Sequence, residues 1–375
     1  MIRVLHIFGI MNIGGAETMI MNIYRNIDRS KIQFDFLCMS KEKGDYEEEI
    51  KQLGGKIYKI EAPSKVGYIQ HIKDIIRICK NYGPYQAIHI PTMFHSGIVC
   101  LAAYISKIPV RIVHSHSASE EEKNAKRRIY NFWCRRLINI FSTVKIACGE
   151  AAREFLFGNS KKAKKQVIIL KNGIDIKKFS SINKERMLEA KKQLGIKESQ
   201  LVIGHVGRFT KVKNHKFFIK LAKSFNEEDY VILLIGDGEL KEYIENEIKE
   251  SHLENKFILT GKRNDINTMM AIMDVFVMPS IYEGFPMVLI EALASGKNCV
   301  VSDGISKEVD IDKGSIEFIS LNESIQKWIN EIIRKANEKV NIKSREKILE
   351  KNGFSIDKTT EILTRIYLGE RENEK

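Results

Sequence analysis

Short runs of β-branched and aromatic residues alternate along the whole chain with segments whose apolar positions recur every three or four residues. The runs are nearly continuous in apolar character, as expected of strands covered by helices on both faces. The pattern predicts an α/β protein with two Rossmann-like, doubly wound parallel-sheet domains. Strands are expected near 2–8, 32–38, 55–60, 86–90, 110–114 and 143–147 in the first half. In the second half they fall near 167–170, 201–206, 230–235, 256–259, 275–278, 298–302 and 316–319. The halves begin alike. His6-Ile-Phe-Gly9 leads through Gly14-Gly15 into a helix, and His205-Val-Gly207-Arg208 leads through Lys213-Asn214 into a helix over 215–225. The basic stretch Lys161-Lys-Ala-Lys-Lys165 precedes the strand taken to open the second half, which puts the boundary near 167. Phe354-Ser-Ile-Asp357 begins a last helix that the pattern alone assigns to neither half.

At 375 residues, the chain has room for two separate cores. Its apolar content of 43% and charged content of 29% are those of a soluble globular protein. No apolar run approaches the roughly 18 residues that would span a bilayer. The first residues read as a strand rather than a signal peptide. Six scattered cysteines without paired spacing read as reduced thiols of a cytoplasmic protein. The net charge of +13 is unevenly placed. Residues 1–168 hold 27 Lys and Arg against 15 Asp and Glu, while the remainder holds 34 against 33. The imbalance points to an anionic partner for the first half.

The segment Ser280-Ile-Tyr-Glu283-Gly-Phe-Pro-Met-Val-Leu-Ile-Glu291 carries the most chemistry. It follows a buried strand, and Pro286 is expected at the first position of a mostly apolar helix. Gly284, Phe285, Met287 and Val288 then supply the unpaired amides of a helix start, which bind phosphate or sugar oxygens. Glu283 stands at the mouth, and Glu291 about two turns in, roughly 12 Å along by helical rise. Two acids so spaced suit a ligand with hydroxyls on both sides of a diphosphate, as in a nucleotide sugar.

Arg208 and Lys213, five residues apart across a loop, offer one forked and one point cation to such a diphosphate. A solvated basic loop is the plainer reading of those two alone. Asn214 is expected to cap the next helix. Gly14 and Gly15 permit close backbone approach to a helix N-terminus, though with Gly9 they lack the dinucleotide spacing. Asp35 imitates a ribose-binding acid and fits an ordinary strand equally well. His116 and His114 follow a strand at the carboxyl end, where open sheets place their sites. Each serves either as a sugar-hydroxyl partner or as a structural histidine, as do His89 and His95, with no spacing for zinc. The stretch 120–141 reads as a basic helix with interleaved aromatics, suited to an anionic membrane or simply to solvent. No nucleic-acid reader module accompanies the charge.

Taken together, Gly14-Gly15, Gly207-Arg208…Lys213, Asp237-Gly-Glu and Glu283…Glu291 resemble the family-four retaining glycosyltransferases of GT-B architecture, whose two domains face a central cleft. Met21-Asn-Ile-Tyr-Arg-Asn-Ile-Asp28, Arg111-Ile-Val-His-Ser-His116 and Asn172-Gly-Ile-Asp175 are similar to the bacterial capsular and exopolysaccharide branch. The resemblance covers nearly the whole chain. It implies an acceptor-binding domain of residues 1–167 plus the C-terminal helix 356–375, and a donor-binding domain of residues 168–355. It implies that Arg208 and Lys213 hold the donor diphosphate, Glu291 the ribose and Glu283 the transferred sugar. The amides from Gly284 to Val288, around Pro286, would contact sugar and phosphate. Gly15 would approach the diphosphate from the other domain, and His116 would lie on the acceptor side. No metal or other cofactor is implied. The expected partners are a nucleotide-diphosphate sugar, by default a UDP-sugar, a lipid-linked or glycan acceptor, and the inner face of the membrane. A nucleotide-sugar epimerase and a non-catalytic sugar-nucleotide-binding subunit are the alternatives.

Overall fold

Thirteen strands form where the apolar runs lie, in a computed structural model that describes residues 1–117, 125–225 and 229–370. The first seven are β1 (Ile2–Phe8), β2 (Ile32–Cys38), β3 (Lys56–Lys59), β4 (Ala87–Ile90), β5 (Val110–Ser115), β6 (Val144–Ala147) and β7 (Val167–Ile169). They make one parallel sheet in the order β3-β2-β1-β4-β5-β6-β7. The next six are β8 (Leu201–Val206), β9 (Tyr230–Ile235), β10 (Phe257–Leu259), β11 (Val275–Met278), β12 (Asn298–Ser302) and β13 (Ile316–Ile319). They form a second parallel sheet in the order β10-β9-β8-β11-β12-β13. Each sheet turns back at its first strand, which is where doubly wound folds receive ligands.

The contacts divide the chain into one unit of Met1–Gly173 with Ser355–Lys375, and another of Ile174–Phe354. β7 therefore belongs to the first sheet, paired with β6, and does not open the second half as the basic stretch before it suggested. Three apolar residues carry no mark of which sheet will accept them. The expected helix 120–141 is described as Ala125–Phe141, and Glu120–Asn124 lie outside the described residues.

In each unit the strands bury both faces, because successive side chains point to opposite sides. Leu5 and Ile7 of β1 join one cluster with Ile88 and Val113, while Val4 and Phe8 join another with Phe34 and Phe36. The last helix, Ile356–Leu368, completes that second cluster with Ile356, Leu363, Ile366 and Tyr367. Gly173 ends the first passage through this unit. A Cβ there would lie 2.6 Å from Thr359 Oγ1 and 2.8 Å from the Ile356 backbone, so only glycine fits beside the returning chain. In the second unit Ile203, Ile232 and Val277 face one way and Val202, Leu233 and Phe276 the other. All six cysteines are free thiols.

Candidate active site

Three loops meet at the carboxyl end of the second sheet. The loop after β8 runs beside the loop after β9: Gly207 N donates to Ile235 O at 2.9 Å, Phe209 N to Asp237 O at 3.0 Å, and Leu240 N to Phe209 O at 3.0 Å. This approach needs Gly236 and Gly238, both at positive φ. A Cβ on Gly236 would stand 2.1 Å from Gly207 O, and one on Gly238 2.6 Å from Phe209 O. Phe209 is fully buried and stacks on His215 at 3.9 Å, which leaves the neighbouring Arg208 exposed.

Lys211–Lys213 then form a single 3₁₀ turn that ends on Asn214 in the left-handed conformation. Asn214 does not cap the following helix, Lys216–Ser224. Its side-chain amide donates to Pro279 O at 3.1 Å, and Ile281 N donates to Val212 O at 2.8 Å. Asparagine tolerates the left-handed region because its short polar side chain bonds locally. Here the bond ties the cationic turn to the loop that carries Glu283.

Lys213 Nζ stands 2.8 Å from Glu283 Oε1, with each side chain about one-fifth exposed. The Glu283 backbone is fixed on both sides: its amide donates to Gly304 O at 3.2 Å, and its carbonyl accepts from Ser306 N at 3.0 Å. The helix begins at Met287, so Pro286 is the residue before it (φ −74°, ψ 110°) and not the first helical residue. The amides of Met287 and Val288 head the helix and have no carbonyl four residues back within it. Gly284 is half-buried, and Phe285 stacks on Phe354 at 5.7 Å. Glu291 lies on the same helix, Met287–Ala294. Loss of hydration raises its carboxyl to about 7, against the opposing charge of Lys178. The sequence had no signal for Lys178, since it reaches Glu291 only through the packing of its helix, Ile176–Ser180, on Met287–Ala294.

The other named residues lie in the first unit. Gly14 precedes the helix Gly15–Asn26, and Thr18 N donates to its carbonyl at 2.8 Å. A Cβ on Gly15 would meet nothing within 4 Å, so the helix start is open on that side. His116 follows β5 beside Asn172, its ring 3.8 Å from that of His114, and burial lowers its pKa to about 4. His114 Nδ1 lies 3.1 Å from His89 Nε2, and His89 Nδ1 lies 2.7 Å from the Tyr367 hydroxyl. This buried column runs from the last helix to His116, so His89 and His114 serve as supports. Desolvation keeps these histidines neutral near pH 7. His95 Nε2 meets His71 Nε2 at 3.1 Å, and its Nδ1 meets the Tyr130 hydroxyl at 3.0 Å. Asp35 is fully buried against Arg3 and accepts from Tyr85 and Lys56 N, which gives it a structural role. Among the described residues no group of three or more His, Cys, Asp or Glu could hold a metal ion.

Residues 13–178 match the model of Glycosyltransferase Family 4, and residues 187–352 match that of Glycosyl transferases group 1. The protein named "Putative glycosyltransferase EpsF" of Bacillus subtilis is 42% identical over 337 residues, covering 89% of this chain and 88% of that one. The UDP-Gal:alpha-D-GlcNAc-diphosphoundecaprenol alpha-1,3-galactosyltransferase of Escherichia coli is 28% identical, covering 90% and 89%. In fold, the chain matches the crystal structure of Anabaena Alr3699/HepE in complex with UDP. The TM-score is 0.78 at 19% identity, covering 98% of this chain and 100% of that one. The chain belongs to the family-four glycosyltransferases, and both of its domains have the Rossmann-like form of the GT-B class.

Proposed function

On that footing, we propose that the chain transfers a sugar from a nucleotide-diphosphate sugar, a UDP-sugar in the first instance, to a hydroxyl of a lipid-linked or glycan acceptor. The reaction proceeds with retention, without a metal or other cofactor, in capsular or exopolysaccharide synthesis. The observation that carries this reading is the Lys213–Glu283 pair at the head of the helix Met287–Ala294. It sets a cation for a leaving diphosphate beside an acid for a sugar hydroxyl. In this reading Arg208 and Lys213 receive the charge that develops on the diphosphate as the glycosidic bond breaks. The leaving phosphate takes the acceptor proton on the same face. Glu283 orients the transferred sugar, and the amides from Gly284 to Val288 hold its oxygens. Glu291 accepts from the ribose hydroxyls. Gly15 leaves the first domain's helix start open to a ligand oxygen, and neutral His116 pairs with a sugar or acceptor hydroxyl.

The relatives' names support this assignment. The Escherichia coli enzyme's name states a UDP-sugar donor and an undecaprenol-linked acceptor, and CapH of Staphylococcus aureus, 27% identical, is named for capsular polysaccharide biosynthesis. A cytoplasmic enzyme using a lipid-linked acceptor works at the membrane's inner face. Among the described residues no helix is long and apolar enough to cross a membrane. The helix Ala125–Phe141 instead exposes Ile129, Phe132, Trp133 and Ile140 together with Lys126, Arg128 and Arg136. Apolar residues among basic ones suit shallow docking on anionic lipid. Arg135 takes no part, since it donates to Leu156 O at 3.0 Å and Phe155 O at 2.8 Å and so ties its helix to the next.

Calorimetry with free UDP and with a UDP-sugar tests the division between the two acids. Glu291→Gln should weaken binding of both, while Glu283→Gln should spare free UDP and reduce transfer. Equal loss of UDP affinity in the two variants would contradict the assignment.

A further inference from the structure

The basic stretch at Lys161–Lys165 plays no part in the site above, yet it borders a cavity of about 500 Å³ within the first unit. The cavity opens where β6 and β7 begin: Ser142 precedes β6, Lys145 is its second residue and Val167 is the first of β7. The strands are parallel, so this edge is opposite the carboxyl end that carries His116. Lys145 and Lys162 both line it, and no Asp or Glu does.

Among the described residues, neither ammonium group forms an ion pair or a hydrogen bond. Burial and the charge of Lys162 both lower the pKa of Lys145. A half-buried ammonium group facing a second one is costly unless an anion joins them. Asn139 and Gln166 add neutral amides to the lining, and Phe157 adds an apolar face. The volume is that of a small-molecule pocket and far exceeds the needs of a bare phosphate.

We propose that this cavity binds an anionic saccharide, its phosphate or carboxylate held between Lys145 and Lys162 and its hydroxyls by the exposed amides of Asn139 and Gln166. The ligand comes either from free sugar phosphates or from the acidic residues of a glycan chain. Calorimetry on the full chain with saturating UDP, using glucose 1-phosphate and a glucuronate-containing disaccharide as probes, separates the two sources. At least one of these should bind at least tenfold more tightly than glucose and more tightly than inorganic phosphate. Lys145→Gln and Lys162→Gln should each weaken that binding tenfold or more. They should also raise the thermal midpoint, since each removes one of two like charges. Sugar transfer should persist in both variants, so a failure here is distinct from a failure of the donor-site assignment. The proposal is overturned if neither acidic probe outbinds glucose, if phosphate binds as tightly as both, or if binding survives both substitutions. Should Lys145→Gln not fold, the exposed Lys162 decides alone.

Discussion

The turn after β1 and the turn after β8 occupy the same place in the same strand order, yet they are built differently. The first, Gly9 to Gly14, carries no charge. It is held by the segment Asp45-Tyr46: Tyr46 N donates to Met11 O at 2.9 Å, Asp45 N to Asn12 Oδ1 at 3.1 Å, and Ile13 N to Asp45 Oδ2 at 3.0 Å. The second carries Arg208, Lys211 and Lys213 and is tied by Asn214 to the end of β11. In doubly wound sheets topology sets where a ligand is received, while the side chains of the receiving turn set its chemistry. The first domain holds nearly all of the chain's excess positive charge, but none of it in this turn. Much of that excess lies on the helix Ala125–Phe141 and around the cavity lined by Lys145 and Lys162.

The largest test of this contrast is to make the second turn as bare as the first. Arg208→Ala or Lys213→Ala should each lower turnover about ten- to a hundredfold with the fold intact, as expected for the loss of a charge-assisted contact of roughly 1.5–3 kcal/mol. Near-normal turnover in both at saturating donor would end the diphosphate assignment. The converse test fills the helix start that follows the first turn. A Cβ at Gly15 meets nothing within 4 Å, so the thermal midpoint of Gly15→Ala should hold while turnover falls about tenfold. Unchanged turnover would mean that no ligand approaches the first domain's helix start.

A smaller effect separates the two acids by pH. Ribose hydroxyls donate to a carboxylate, so UDP affinity should rise by up to about tenfold as Glu291 ionises between about pH 6 and 8. Glu291→Gln should remove that rise. The effect on folding has the opposite sign. A carboxyl raised from 4.5 to about 7 adds its full share of stability below pH 4.5 and loses it as pH climbs through 7. At pH 8 the empty Glu291→Gln protein should therefore be the more stable, by up to about 3 kcal/mol. Equal pH dependence of the two proteins by chemical denaturation would refute the raised carboxyl. The smallest expected effect is at the membrane. Each basic residue near an anionic surface contributes about 1 kcal/mol, so sedimentation with anionic vesicles should weaken as salt rises. It should also weaken in Trp133→Ser and Arg136→Glu. Equal binding to neutral vesicles would leave this helix a merely solvated face.

The strands were legible because parallel sheets covered on both faces demand continuous apolar runs, and all thirteen lie where such runs do. Ownership of β7 was not legible, since its partner β6 is named by no local pattern. The chemistry read from Glu283, Lys213 and Glu291 lay in residue type and spacing. Their settings did not: Pro286 stops one residue short of the helix, Asn214 bonds away from the helix it was expected to cap, and Lys178 sits 113 positions before Glu291. Such distances are closed only by packing.

The last helix has a consequence for the order in which the protein is made. Once Phe354 has emerged from the ribosome, every residue of the second domain is available to fold. The first domain, though synthesised earlier, still lacks Leu363, Ile366 and Tyr367 from the core around Phe34 and Phe36. Until those residues emerge, that half of the nascent chain presents an uncovered apolar face to chaperones and proteases. The part translated first is therefore the part completed last.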